Sequence, residues 1–155
     1  MLILRAEAAG LTGIATCAEP SPRGGDRRQL SREFYIHRRA DTKAACPSWY
    51  DAVVAGSVKS GESYEHAIRR ELAEEIRIEG VEPGFLFESR YRTSDVIWFT
   101  CVYEVMWNRP IQHQTEEVVW GVFMPAPDLT AKLEQRRFVP AGHQLLRRYL
   151  AERDN

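Results

Sequence analysis

Two periodicities alternate along this chain, and the positions where one replaces the other predict the order of its elements. Between residues 63 and 77 apolar side chains recur at helical spacing, with carboxylates beside the apolar stripe. Gly61 and Ser63 provide a turn and an N-cap at the start of this segment, and Gly80 marks its end. The stripe that is expected to pack on a sheet consists of Ala67, Ile68, Leu72 and Ile76.

Short stretches rich in aromatic and β-branched residues surround the helical segment and predict strands. These stretches span residues 33–37, 49–55, 85–91, 96–107 and 118–124. Two further helices are predicted over residues 127–134 and 141–152, and the apolar side of the second is formed by Leu145, Leu146, Tyr149 and Leu150. The order of strands, helix, strands and helices argues for an α/β (α+β) fold, in which a mixed β-sheet is sandwiched between helices.

The N-terminal part of the chain differs from the remainder in composition. Residues 20–28, with the sequence PSPRGGDRR, are interpreted as a loop because prolines and glycines interrupt any periodicity. We therefore expect an irregular N-terminal segment over residues 1–32 and one folded domain over residues 33–153.

The charge balance and the cysteine content limit which binding partners and which cellular compartment are expected. The 21 basic and 22 acidic residues give a formal net charge of -1, so no electrostatic argument favours nucleic acid or a membrane surface as a partner. The longest apolar stretch, residues 96–103, is far shorter than the about 20 residues of a membrane span. Cys17, Cys46 and Cys101 are scattered, which argues against a disulfide scaffold or zinc site and favours a cytoplasmic location.

Three carboxylates crowd onto one face of the predicted helix. Glu71, Glu74 and Glu75 stand at positions i, i+3 and i+4, which lie on the same side of an α-helix. Like charges at this spacing weaken a helix by a few tenths of a kcal/mol per pair. A purely structural helix is rarely built in this way, whereas a metal-binding helix is, so the pattern indicates a metal site.

The segment from residue 56 to residue 78, GSVKSGESYEHAIRRELAEEIRI, resembles the Nudix box, G-x5-E-x7-R-E-U-x-E-E-x-G-U, in which U is a bulky apolar residue. Every defined position but one is matched, by Gly56, Glu62, Arg70, Glu71, Leu72, Glu74, Glu75 and Ile78. The exception is Arg77, which stands where the motif has its second glycine. An arginine in a left-handed conformation would cost about 1 kcal/mol, so we expect the helix to end differently or to run one turn further towards Gly80.

Segments outside the box resemble the subgroup of Nudix hydrolases that is related to isopentenyl diphosphate isomerase. The similarity lies in Arg38-Arg39, Lys43, Pro47 and Trp49-Tyr50-Asp51, and in residues 61–65 and 138–142. Domains of this family begin with an extended apolar strand ahead of the one at residue 33, yet residues 11–32 show no such run. That edge of the sheet is therefore expected to be missing or irregular.

The resemblance implies metal ligands and catalytic residues. Mg²⁺ or Mn²⁺ would be bound by Glu74 and Glu75, with help from the backbone carbonyl of Gly56. Glu71 would either bind metal or accept the proton of the attacking water, and Arg70 would orient Glu71 through a charge-assisted contact. Catalysis is thus expected to depend on Glu71, Arg70 and Glu75.

Other residues are candidates for supporting roles. Glu62 would brace the junction between loop and helix. Candidate substrate-binding residues are Arg38, Arg39, Lys43, Trp49, Tyr50 and Glu117. Their cationic members could clamp phosphate oxygens or be ordinary surface charges, the aromatic pair could stack on a base or pack internally, and the acid could be catalytic or merely solvated. Trp98, in mid-strand, is expected in the core, and the dispersed histidines show no ligand spacing.

The resemblance implies metal-dependent hydrolysis of a diphosphate linkage in a nucleoside diphosphate derivative. The substrate would be a small molecule, and a homodimer is an expectation because pairs of such domains are frequent in the family. An alternative is a non-catalytic Nudix domain that binds a nucleotide or a partner protein. Isopentenyl diphosphate isomerase itself is less favoured, because the cysteine that follows its tryptophan is absent after Trp49.

Overall fold

The computed structural model describes residues 1–7, 32–92, 94–95 and 97–153, and for residues 2–7, 32 and 153 it describes the backbone alone. Its strands are β1 (Leu2–Glu7), β2 (Arg32–Arg39), β3 (Tyr50–Asp51), β4 (Gly84–Arg92), β5 (Ile97–Met106) and β6 (Val118–Pro125). Its helices are α1 (Tyr64–Ile76), α2 (Ala126–Gln135) and α3 (Pro140–Arg153). The helical and strand segments predicted from periodicity are confirmed within a few residues, except that the strand predicted over residues 49–55 is confined to β3.

The sheet is mixed, and β2 is its most connected strand. Along its length β2 pairs antiparallel with β6, while its other edge pairs antiparallel with β1 and β3. Strand β1 then pairs parallel with β5, which pairs antiparallel with β4. The resulting order is β3-β2-β1-β5-β4, with β6 attached to β2.

Two hydrophobic cores lie on the two faces of this sheet, because successive side chains of a strand point to opposite faces. Phe34 and Ile36 of β2 belong to one core, which they share with α2 and α3. Tyr35, between them, belongs to the other core, which contains the apolar stripe of α1. All four residues predicted for that stripe are buried. The prediction of a mixed sheet sandwiched between helices is therefore confirmed.

The two ends of α1 are closed in different ways. At the start, the Ser63 hydroxyl accepts a hydrogen bond from the His66 backbone N–H at 3.2 Å, as predicted for an N-cap. At the end, Arg77 adopts a left-handed conformation with φ 56° and ψ 36°, and its N–H donates to the Leu72 carbonyl. The expectation that the helix would end differently or run on towards Gly80 is wrong, because the arginine takes the conformation that the motif glycine would take.

Residues 2–7 correct another expectation. They form β1, although residues 1–32 are expected from their composition to be irregular. Strand β1 lies between β2 and β5, so the expectation that this edge of the sheet lacks its first strand is wrong. Residues 8–31, on which most of that expectation falls, lie outside the described residues.

Trp98 also differs from its expected place in the core, since 48% of its surface is exposed. It stacks on Tyr91 of the neighbouring strand, with ring centroids 5.4 Å apart. Trp98 alternates with the residues of β5 that face α1, so it lies on the other face of the sheet, the side of Val102. In the described part of the chain, no helix has the length and apolarity to cross a membrane.

Candidate active site

Arg70 of α1 connects the loop before the helix to the carboxylates on the helix. Its Nε and Nη2 donate to the two carboxylate oxygens of Glu62 at 3.0 and 3.1 Å, and Nη2 also donates to the Ser57 carbonyl at 3.0 Å. Its Nη1 donates to Glu71 at 2.6 Å and to Glu74 at 3.2 Å. The planar guanidinium makes these contacts at once because its donors form a rigid fork. Arg70 therefore fixes the carboxylates against the loop.

Electrostatics favour the charged forms of Glu62 and Arg70. The hydrogen bonds from Arg70, aided by the Lys59 backbone N–H, lower the pKa of Glu62 to about 2. The same carboxylate and Glu71 raise the pKa of Arg70 above its ordinary value. Glu62 and Arg70 thus form an ion pair that joins the loop to the helix; the bracing role expected for Glu62 stays a prediction.

Gly56 allows the loop backbone to approach Glu71 closely. A Cβ atom at this position would overlap the carboxyl group of Glu71, so a side chain at residue 56 would displace it. The Glu71 side chain is only 13% exposed, between the loop and Arg70. Glu71 is consequently held in one orientation by the glycine on one side and the guanidinium on the other.

A second cluster of charged side chains lies around Glu75, the residue that follows Glu74 on α1. Burial, together with the negative charges of Glu117 and Glu71, raises the pKa of Glu75 to about 8, against the opposing positive charges of Lys43 and Arg39. Lys43 forms an ion pair with Glu117. The structure therefore brings Arg39, Lys43 and Glu117 to the box helix, although these residues are far apart in the sequence.

The loop that carries Glu117 is fastened at two points that sequence reasoning missed. The Gln114 backbone N–H donates to the Glu75 carbonyl at 3.0 Å, at the end of α1. The Tyr35 hydroxyl and His113 Nε2 form a hydrogen bond of 2.6 Å. No local pattern links residues 35 and 113, because their contact arises only when β2 and the loop meet in the fold. These contacts hold Glu117 beside Glu75.

Other candidate residues lie elsewhere. Arg38 is exposed and donates to the Ser48 carbonyl at 3.3 Å. Tyr50 packs at the edge of the α2–α3 core, and its ring lies tilted against that of Phe138 with the centroids 5.7 Å apart. Trp49 lies beneath the Arg137 guanidinium, 5.9 Å from the ring centroid. In the contacts that the structure describes, Arg38, Trp49 and Tyr50 are not brought to the box carboxylates.

The donor set fits a hard divalent cation in chemical type. Glu71, Glu74, Glu75 and Glu117 offer carboxylate oxygens, which Mg²⁺ and Mn²⁺ prefer. The raised pKa of Glu75 reflects its burial first and the negative charges of Glu117 and Glu71 second, and a bound cation would favour its ionised form. Among the described residues, however, no three such side chains already surround one point as a metal centre. The Arg70 contacts use one carboxylate oxygen of Glu71 and one of Glu74.

Comparison with known proteins agrees with this geometry. A family model described as the NUDIX domain matches residues 26–143. An uncharacterized Nudix hydrolase of Streptomyces coelicolor is 39% identical over 117 residues, which cover 74% of this chain and 65% of that protein. A Nudix hydrolase of Deinococcus radiodurans is 31% identical over 110 residues, which cover 68% of this chain and 63% of that protein. The chain therefore spans slightly less than two thirds of the length of these curated relatives.

A solved structure supports the fold. The crystal structure of the DR0079 protein from Deinococcus radiodurans superposes with a TM-score of 0.69 at 24% identity, covering 95% of this chain and 78% of that one. A layered α+β fold with a box-bearing helix on one face of its sheet defines the class. The chain belongs to the Nudix family.

Proposed function

We propose that this protein hydrolyses a diphosphate linkage in a nucleoside diphosphate derivative, with Mg²⁺ or Mn²⁺ as cofactor. The observation that carries the proposal is the position of Glu71, which Arg70 and Gly56 hold in one orientation next to the acidic group around Glu75. The names of the relatives, which are Nudix hydrolases, support it.

The cation would be held by Glu74 and Glu75, with Glu71 and the Gly56 backbone carbonyl as further oxygen donors. When bound, a divalent cation lowers the pKa of water and offsets negative charge on phosphoryl oxygens, which otherwise repels a nucleophile. Rigid placement of these donors matters because small displacements of catalytic groups cost large factors in rate.

The remaining roles belong to side chains around the carboxylates. Arg70 orients Glu71, which either binds the cation or accepts the proton of the attacking water. Arg39 and Lys43 bring positive charge to the same region and would contact the anionic oxygens of the diphosphate. Glu117, held by Lys43 and by its loop, is the further acid of the site.

A second reading is a Nudix domain that binds a nucleotide without turnover. One observation favours keeping it: a solved NUDIX domain of Shewanella oneidensis NrtR, described as complexed with ADP ribose, has a TM-score of 0.65 with this chain. At 16% identity that likeness concerns the fold alone. The relation to the isomerase subgroup, the homodimer and the cytoplasmic location likewise stay proposals.

Turnover separates the two functions. The purified protein is incubated with Mg²⁺ or Mn²⁺ and a panel of nucleoside diphosphate derivatives, and the release of phosphate and nucleoside monophosphate is followed. We expect Glu75→Gln to lower kcat by at least about a hundredfold, because a positioned acid–base or ligand group contributes factors of that size. The matched control is Glu79→Gln, which removes the same charge from an exposed residue beyond the helix.

The expected pattern is turnover that a chelator and Glu75→Gln abolish while Glu79→Gln leaves it unchanged. Near wild-type rates in the Glu75→Gln variant would show that the site assignment is wrong. A folded protein that binds nucleotides but turns over none of the panel would favour the binding domain.

A further inference from the structure

Tyr35 of β2 reaches from the core under α1 to the loop that carries Glu117. Its ring is stacked on that of His37, with centroids 5.7 Å apart, and packs against Phe123 at 5.5 Å. Only 2% of Tyr35 is exposed, so its hydroxyl needs a hydrogen-bond partner inside the protein. His113 provides that partner, since its Nε2 lies 2.6 Å from the hydroxyl oxygen.

Gly121 of β6 makes room for this hydroxyl. A Cβ atom at residue 121 would lie 2.2 Å from the Tyr35 hydroxyl oxygen, far closer than two non-bonded atoms can approach. A glycine inside a strand weakens the strand and is found where another group comes close to the backbone. The Tyr35 hydroxyl thus occupies space that any other residue at position 121 would fill with its side chain.

The Tyr35 hydroxyl donates the hydrogen bond and His113 accepts it. Burial, aided by the negative charge of Glu75, raises the pKa of Tyr35 above its ordinary value, so the phenol keeps its proton. Burial lowers the pKa of His113 below its ordinary value, so its ring is neutral at neutral pH and has one nitrogen that can accept. A neutral hydrogen bond with a matched donor and acceptor therefore joins β2 to the loop.

A tight turn connects this hydrogen bond to Glu117. The Gln114 carbonyl accepts from the Glu117 backbone N–H at 2.9 Å, and the Gln114 N–H donates to the Glu75 carbonyl at 3.0 Å. His113 immediately precedes this turn, so holding His113 holds the side from which the turn begins. Glu117 lies at the other side of the turn, where its negative charge acts on Glu75.

Resting on the cation of the proposed function, we propose that Tyr35 and His113 are positioning residues, which set the affinity of the site for its divalent cation through Glu117. Their hydrogen bond determines where the turn presents the Glu117 carboxylate relative to Glu75. Neither side chain takes part in the chemical step. Both act as groups that orient a carboxylate from behind, and such groups contribute to metal affinity without touching the metal.

The test measures Mn²⁺ affinity by electron paramagnetic resonance, which reports free Mn²⁺ and does not depend on turnover. Tyr35→Phe removes the hydroxyl and keeps the ring, and we expect it to raise the Mn²⁺ dissociation constant about tenfold, the lower end of the effect of groups that orient metal ligands. His113→Ala removes the same hydrogen bond from the loop side and should act alike. His113→Gln, whose amide oxygen can accept from the hydroxyl, should recover most of the affinity that His113→Ala loses.

Tyr149→Phe is the matched control. Tyr149 is equally buried, at 2% exposure, and its hydroxyl donates a hydrogen bond of similar length, 2.7 Å, to Glu104 on the α2–α3 side of the sheet. Both phenylalanine variants are expected to unfold at a lower urea concentration, since each loses a buried hydrogen bond. Only Tyr35→Phe is expected to weaken Mn²⁺ binding, which a merely structural role would leave unchanged.

A double-mutant cycle tests whether the effect passes through Glu117. Glu117→Gln alone is expected to weaken Mn²⁺ binding, and adding Tyr35→Phe to it should cause no further loss, because residues that act through one another are not additive. If the two losses multiplied in the double variant, Tyr35 would act independently of Glu117 and the positioning role would be refuted.

The outcomes also separate this inference from the proposed function. Suppose that Mn²⁺ binding weakens in Tyr35→Phe and not in Tyr149→Phe, while the protein hydrolyses none of the diphosphate panel. That result would support the positioning role and refute the hydrolase. Mn²⁺-dependent hydrolysis, with the Mn²⁺ dissociation constant unchanged in both Tyr35→Phe and His113→Ala, would refute the positioning role and leave the hydrolase standing.

Discussion

The two faces of the sheet each carry a cation in contact with several side chains, but the neighbours differ. On the α1 face, Arg70 donates to the carboxylates of Glu62, Glu71 and Glu74 at 2.6–3.2 Å. On the α2–α3 face, the Lys132 ammonium lies over the rings of Tyr50 and Trp120, 5.0 and 5.1 Å from their centroids. The first cation orients acidic groups, whereas the second stabilises packing. The role of each positive charge is thus set by the neighbours that the fold places around it, carboxylates for Arg70 and aromatic rings for Lys132.

Replacing each of the two cations should give the largest difference between the two faces of the sheet. Arg70→Lys keeps the charge but loses the fork that reaches several carboxylates, so we expect kcat to fall about 10- to 100-fold, as for groups that orient metal ligands. Lys132→Gln should leave kcat unchanged and lower the free energy of unfolding by about 0.5–1 kcal/mol, the contribution of a cation–π contact. Steady-state kinetics and urea unfolding of both variants measure this. Equal losses of kcat would remove the distinction between the faces.

A buried pair of ionisable residues, His37 and Asp51, joins β2 to β3 as register partners and belongs to neither cluster. Burial raises the pKa of Asp51 from 3.8 to about 7, so the folded state retains a proton that the unfolded state loses. Burial lowers the pKa of His37 from 6.5 to about 3, so the unfolded state gains a proton that the folded state refuses. Asp51 therefore lowers the stability of the fold as pH rises from 3.8 to about 7. His37 lowers it as pH falls from 6.5 to about 3.

The two slopes oppose each other between about pH 4 and pH 6.5, so wild-type stability should vary little there. Asp51→Asn removes one slope: this variant should lose stability on acidification and exceed the wild type by about 4 kcal/mol at pH 8, the size of the Asp51 shift. His37→Phe should show the reverse trend, losing stability as pH rises. Urea unfolding at intervals from pH 4 to pH 8 provides the measurement. If stability varied with pH in the same way in the wild type and both variants, Asp51 and His37 would not be the source of the opposing slopes.

The smallest expected effect concerns the end of α1. Arg77→Gly removes a Cβ atom from a left-handed position, and we expect the free energy of unfolding to rise by about 0.5–1 kcal/mol. Arg77→Ala is the matched control, since it removes the charge and keeps the Cβ atom. It should leave stability close to the wild-type value, and kcat should be unchanged in both variants. A stabilisation of equal size in Arg77→Ala would trace the effect to charge instead of backbone conformation.

Features that depend on neighbouring positions could be predicted from the sequence. The apolar stripe of α1 and its Ser63 cap depend only on residues a few positions apart in the sequence, and both are present in the structure. The contacts of Arg70 with Glu62 and Glu71 also lie within the box, where fixed spacing implies proximity. Arg77 shows a limit of such reasoning, because the cost of a left-handed residue is small beside the energy of packing Ile76 and Ile78 in the core.

Features that depend on distant pairing could not be predicted. Strand β1 forms through its hydrogen-bonded pairing with β2 and β5, and the sequence of residues 2–7 alone does not indicate those partners. The exposure of Trp98 depends on what the fold packs against its end of β5 on the face away from α1. Lys43 and Glu117 each look like solvated surface charges, and only the fold shows that they pair beside Glu75. Residues 49–50 show the converse, because residue type left base stacking and internal packing open, whereas the fold packs Tyr50 at the α2–α3 core and places Trp49 beneath Arg137.

The central claim is that the α1 face, and not the α2–α3 face, binds the catalytic cation. The most direct measurement is X-ray diffraction at the manganese absorption edge from crystals soaked in Mn²⁺, with crystals of Glu75→Gln as the control. We expect an anomalous peak in contact with the carboxylates of Glu74 and Glu75, and its loss or marked weakening in the variant. A peak of undiminished height in the variant, or Mn²⁺ bound only on the α2–α3 face, would contradict the claim.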